Sequence, residues 1–157
     1  MSSMAASGAR AVWDVSDGLI LATVEIQATP ERVFQALASR EICEWWVRPG
    51  VFDTREWDGD VRVGGHWKAS GMARGKPYVL QGEFLEVDPP RKLVHTWQLA
   101  GAPSPMDGVT TVSYTLEATE SGTKITLRHW GYASADQTTA TGIGWETSFE
   151  KLAQFLR

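Results

Sequence analysis

Two rhythms of apolar and polar residues divide this chain of 157 residues. Residues 138–157 carry the helical one: Trp145, Phe149, Leu152 and Leu156 recur at steps of four, three and four, and Phe155 broadens the stripe. Residues 51–130 carry the other, an alternation of period two that marks strands with one buried face. A helix so apolar on one side needs a surface to lie against, and the chain offers mostly strands. The pattern therefore predicts one long helix held in the concave face of an antiparallel sheet, an arrangement that leaves a cavity between them.

Residues 19–27 alternate as a first strand and stop at Ala28-Thr29-Pro30-Glu31. Thr29 suits an N-cap, Pro30 the first helical position and Glu31 the first turn, with Val33, Phe34 and Leu37 as the stripe of a short helix. Residues 41–47, with Trp45-Trp46, predict a second short helix closed by Pro49-Gly50. Strands are then expected over 51–57, 61–72, 78–87, 92–99, 110–118 and 124–130, broken by Asp88-Pro89-Pro90 and Glu120-Ser121-Gly122. Gly64-Gly65 suggests a bulge or a close backbone approach. Residues 100–108 form the longest irregular connection between strands and a candidate lid. The expected architecture is α+β: a curved antiparallel sheet of about seven strands, the first paired with the last, wrapped around the long C-terminal helix, with two short helices after the first strand. Residues 1–18 read as a polar, partly disordered tail in which Val12, Trp13 and Val15 suggest a short edge segment, and residues 19–157 as one domain.

Charge and cysteine content narrow the function classes. There are 15 Lys and Arg against 19 Asp and Glu, a net charge of −4 with no basic run, so nucleic acid and anionic membrane are poor partners. No apolar run approaches the roughly 20 residues of a membrane-spanning helix, and residues 1–11 lack the apolar core of a signal peptide. Cys43 is the only cysteine, which excludes an intrachain disulfide and favours a reducing, cytoplasmic setting. Eight tryptophans signal either a heavy aromatic core or an aromatic-lined pocket.

The alternation places Trp67, His95, Trp97, Tyr114 and His129 on the sheet face that meets the helix. His95, Tyr114 and His129 there could exchange protons near neutral pH, as in a cyclisation or dehydration; the competing reading is that the histidines are core residues fixed by hydrogen bonds. No metal site is expected, since His66, His95 and His129 lie on three different strands without HxH or HExxH spacing, His66 on the opposite face. No cofactor fingerprint and no G-x-S-x-G elbow occurs, and Cys43 reads as a small hydrophobe in a helical context. Gly142 and Gly144, costly inside a helix, would make room for a ligand or a close sheet contact. Trp45-Trp46 reads as a gate over the cavity mouth, or as one indole capping the core beside a partly exposed one. Arg128 and Trp130 point outward as a candidate homodimer contact.

Several strings, in order, resemble the START-like superfamily known as SRPBCC, with its helix-grip fold, and within it the homologues of the activator of the heat-shock-chaperone ATPase. They are Thr29-Pro30-Glu31-Arg32-Val33-Phe34, Trp45-Trp46, Arg62-Val63-Gly64-Gly65, Glu86-Val87-Asp88-Pro89-Pro90-Arg91-Lys92-Leu93-Val94, Thr96-Trp97, Leu127-Arg128-His129 and Gly144-Trp145. The resemblance spans roughly residues 19–157. It implies a cavity between sheet and helix for an apolar or amphipathic small molecule, with relatives that transfer lipids, sense hormones, cyclise polyketides or act as co-chaperones. One departure stands out: relatives often carry a histidine shortly before the Gly-Trp pair, where this chain has Thr139, Ala140 and Thr141.

The leading expectation is binding of a hydrophobic or aromatic ligand by Trp46, Trp67, His95, Trp97, Tyr114, His129, Gly142, Trp145 and Phe149, without a cofactor. Two alternatives follow from the resemblance: a metal-free cyclase or aromatase using His95, Tyr114 and His129 as acid-base groups, and a co-chaperone that binds a chaperone partner.

Overall fold

The computed structural model describes residues 8–100 and 108–157. It opens on a hairpin of β1 (Arg10–Asp14) and β2 (Leu19–Ile26), closed by Gly18 at φ +62°, where a β-carbon would collide with the Tyr132 carbonyl. Helix α1 (Pro30–Leu37) starts where the sequence places it: Thr29 Oγ1 accepts the Arg32 amide at 3.2 Å and Pro30 occupies the first turn. A single turn, α2 (Ile42–Trp45), follows.

The chain then runs through β3 (Val47–Arg48), β4 (Phe52–Gly59), β5 (His66–Ala73), β6 (Lys76–Asp88), β7 (Lys92–Leu99), β8 (Thr110–Ala118) and β9 (Thr123–Trp130) into α3 (Ala135–Phe155). All pairings are antiparallel, in the order β1-β2-β9-β8-β7-β6-β5-β4-β3, so the expected first strand, β2, does pair with the last, β9. The fold is the expected α+β helix grip, a curved sheet that does not close on itself, with nine strands rather than about seven. The two additional strands are β1 and β3. β1 is a sheet edge whose Val12 stays exposed, and β3 is only two residues long, so neither leaves a readable alternation.

Two element boundaries differ for local reasons. Residues 60–65 form a turn with Gly64 at φ +85°, leaving Val63 exposed and delaying β5 to His66. Helix α3 begins before residue 138 because Ser134 caps it, its Oγ accepting the Gln137 amide at 3.2 Å; Ser134-Ala135-Asp136-Gln137 has the Ser-x-x-Gln spacing of a capping box. Residues 101–107, the body of the expected lid, lie outside the described residues.

Trp145, Phe149 and Leu152 of α3, and Leu156 at its C-cap, are buried as their spacing predicts. Phe155 is not part of that stripe: it is 37% exposed on the helix flank, with the Arg32 guanidinium 5.9 Å above its ring. α3 lies against β1 and β2 at one edge of the sheet and against α2 and β3 at the other, bridging the gap that the open sheet leaves. At the β1 edge, Glu146 Oε2 accepts the Ala11 amide at 2.9 Å, and Gly142 sits where any side chain would meet the Trp13 ring.

Candidate functional site

The inward positions of β5, β7, β8 and β9 meet α2 and α3 in a continuous aromatic cluster. Trp46 lies within it, with ring centroids 5.0 Å from Trp97, 5.8 Å from Trp67, 5.9 Å from Trp45 and 6.3 Å from Trp145. Both Trp45 and Trp46 are buried, so neither indole is the partly exposed one that the doublet suggested. Trp45 Nε1 donates to the Ala36 carbonyl at 2.9 Å, which ties α2 to α1. Packing of this kind contributes about 0.5–1.5 kcal/mol per aromatic pair beyond area burial.

His129 is held from both sides within the cluster. Trp145 Nε1 donates to its Nδ1 at 3.0 Å, so Nε2 carries the proton and donates to Thr110 Oγ1 at 2.7 Å, and Thr110 in turn donates to the Trp97 carbonyl at 3.0 Å. Burial, with a smaller contribution from nearby His95, lowers the His129 pKa to about 3. His95 Nδ1 donates to the Thr96 carbonyl at 2.8 Å, and burial lowers its pKa to about 4 against that bond. Both rings are therefore neutral at physiological pH. Tyr114 is fully buried, its hydroxyl has no hydrogen-bond partner among the described residues, and burial raises its pKa well above the usual phenol value.

Beside this cluster, where α3 diverges from the β3–β6 end of the sheet, a cleft of about 340 Å³ opens. Its walls are Ala140, Thr141, Gly144, Trp145 and Ser148 of α3, Phe52 and Thr54 of β4, Tyr78 and Leu80 of β6, and Trp97 and Leu99 of β7, with Trp46 between them. Arg48 of β3, Val51, Ala73 of β5 and Arg74 complete it. Thr54 Oγ1 donates to the Trp46 carbonyl at 2.9 Å and shares a short hydrogen bond with the Tyr78 hydroxyl. Since the Thr54 proton is committed, Tyr78 must donate to Thr54, and the phenol oxygen keeps lone pairs to offer an occupant. The Trp46 indole N–H has no acceptor among the described residues.

Of the residues expected to contact a ligand, Trp46, Trp97 and Trp145 line this cleft. Trp67, His95, Tyr114, His129 and Phe149 sit in the packed cluster behind it, and Gly142 faces Trp13. Gly144 is the glycine of the pair that opens on space: a β-carbon there meets nothing within 4 Å. Thr54, Tyr78, Leu80, Arg48 and Arg74 were not singled out from the sequence. Tyr78 and Leu80 did share a face in the alternation of β6, the one signal that could have placed them beside Trp97. A larger hollow, of about 560 Å³, lies on the outer sheet face among His66, Lys68, Gln81, Glu83 and Thr96. Among the described residues no cluster of three His, Cys, Asp or Glu could hold a metal ion, and no helix is long and apolar enough to cross a membrane.

Residues 27–157 match the family described as activator of Hsp90 ATPase homolog 1-like protein, which is most of the chain. The chain belongs to that family. Solved structures with the same helix grip include protein CV1439 from Chromobacterium violaceum, at 25% identity and a TM-score of 0.80 over 88% of this chain and 96% of that one. Protein Ms6760 from Mycobacterium smegmatis is similar at 22% identity and a TM-score of 0.78, over 94% and 95%. CalU16 from Micromonospora echinospora aligns at 24% identity and a TM-score of 0.62, over 88% and 74%. No curated protein matches the chain. Membership in the family accounts for the fold.

Proposed function

We propose that the protein binds an apolar or aromatic small molecule in the cleft between α3 and the β3–β6 end of the sheet. The observation that carries this is Gly144: a glycine in mid-helix, facing open space on an aromatic-walled cleft of about 340 Å³. Alanine there would strengthen the helix by up to about 1 kcal/mol, so retaining glycine is understandable as keeping the cleft clear. The volume is at the lower end of ligand pockets, about 300–1,000 Å³, and the mostly apolar wall with a few polar groups is of the kind such pockets have.

Trp46, Trp97 and Trp145 line the cleft, so binding should quench or shift the intrinsic tryptophan emission. Titration with a panel of aromatic polyketides, fatty acids and hormone-like terpenoids is expected to give saturable changes, and Gly144→Phe, which projects into open space, should abolish them while the protein stays folded. A panel without response, together with clean mass spectra of the natively purified protein, would overturn the reading.

A further inference from the structure

We infer that the occupant of this cleft carries a carboxylate, held between Arg48 and Arg74 while its apolar body lies against Trp46, Trp97 and Trp145. The inference rests on the small-molecule reading of the cleft and names the chemical class of its ligand. Two cationic side chains line the cleft and no Asp or Glu does among the described residues, although the chain as a whole has a net charge of −4. Neither arginine makes an ion pair or a side-chain hydrogen bond among the described residues.

The strand register brings the two together. Arg48 pairs with Phe52, and Phe52 with Ala73, the residue before Arg74, so the arginines stand about two strand spacings, roughly 10 Å, apart. The Arg74 amide is further tied to the Val51 carbonyl at 2.8 Å, which locks the β5–β6 turn onto the β3–β4 turn. Guanidinium groups present forked donors that match a carboxylate. Trp46 lines the cleft, and its enclosed indole N–H, on a residue only 4% exposed, has no acceptor among the described residues. Buried donors are rarely left so, and an oxygen of the ligand would complete it.

Arg74 also stands at φ +50°, followed by Gly75 at φ +80°, the two positive values of a type I′ hairpin whose first position favours Asn or Gly. Replacing it with Asn should improve the turn while removing the charge, so the variant tests binding without endangering the fold.

Isothermal titration of the full chain with naphthoate and naphthamide, and with decanoate and decanamide, separates charge from shape. Each acid is expected to bind about tenfold tighter than its amide, the worth of a charge-assisted hydrogen bond. The margin should shrink at high salt. Arg48→Gln and Arg74→Asn should each erase most of it, bringing the acid close to its amide in affinity. Equal affinities for acid and amide would overturn the carboxylate while the cleft stands; a margin that survives both substitutions would overturn the arginines as its holders; and no binding by either pair would remove this inference together with the ligand class beneath it.

Discussion

Trp145 on α3 donates its indole hydrogen to Nδ1 of His129 on β9, 3.0 Å away, and so decides which ring nitrogen of the histidine carries the proton. The Nε2–H tautomer is then expected throughout the neutral range, and nitrogen-15 shifts of the ring will check it. A protonated Nδ1 would contradict the arrangement. Trp145→Phe should cost about 2–3 kcal/mol in urea unfolding, combining lost packing with an unpaired buried acceptor.

The two buried histidines set an acid limit on stability. Their folded pKa values, about 4 for His95 and about 3 for His129, lie below the ordinary 6.5. Above pH 6.5 both states are neutral and nothing is lost. As the pH falls below it, the unfolded chain takes up protons that the folded one refuses, so stability drops by about 1.4 kcal/mol per pH unit for each histidine until the folded values are reached. Denaturant midpoints between pH 6.5 and pH 4.5 should fall steeply in the parent and more gently in His95→Gln and His129→Gln. Equal slopes would show that the rings titrate normally in the fold.

Tyr114 makes a simpler case. Its buried hydroxyl finds no partner among the described residues, so Tyr114→Phe should leave stability unchanged or raise it by about 1 kcal/mol. A loss above about 1 kcal/mol in the same assay would mean that the hydroxyl is hydrogen-bonded after all.

Gly142 and Gly144 are separated by one residue and should respond in opposite senses. Gly144→Ala gains helix propensity and meets no neighbour, so a rise of up to about 1 kcal/mol is expected. Gly142→Ala places its methyl on the Trp13 ring and should destabilise, and Trp13→Ala should relieve part of that cost in a double-mutant cycle.

The pair also shows what the sequence can and cannot convey. Alternation assigned Trp67, His95, Trp97, Tyr114 and His129 to one sheet face, and they share it as a single packed cluster. It carries no information on depth along the strand, and depth separates Trp97, which reaches the cleft wall, from His95, which is covered by Trp67 and Phe84. A cap such as Thr29-Pro30 is legible because its chemistry is local. The cleft is walled by residues of α3, β3, β4, β6 and β7 that are distant in sequence, and no window of neighbouring residues encodes their meeting. Glu146 illustrates the same limit: its partner, the Ala11 amide, is 135 residues away in sequence.

That last contact also bears on how copies of the protein can meet. β1 ends the sheet, and an unprotected edge strand offers amide hydrogens to any extended segment in solution. With Glu146 seated on the Ala11 amide and the Trp13 ring pressed to the helix, a strand arriving at this edge must first displace a charged side chain. At the opposite end β3 is two residues long and pairs only with Phe52 and Asp53, so the rest of β4 has no strand partner on that side. Growth of the sheet from one molecule into the next is thus obstructed at the β1 end.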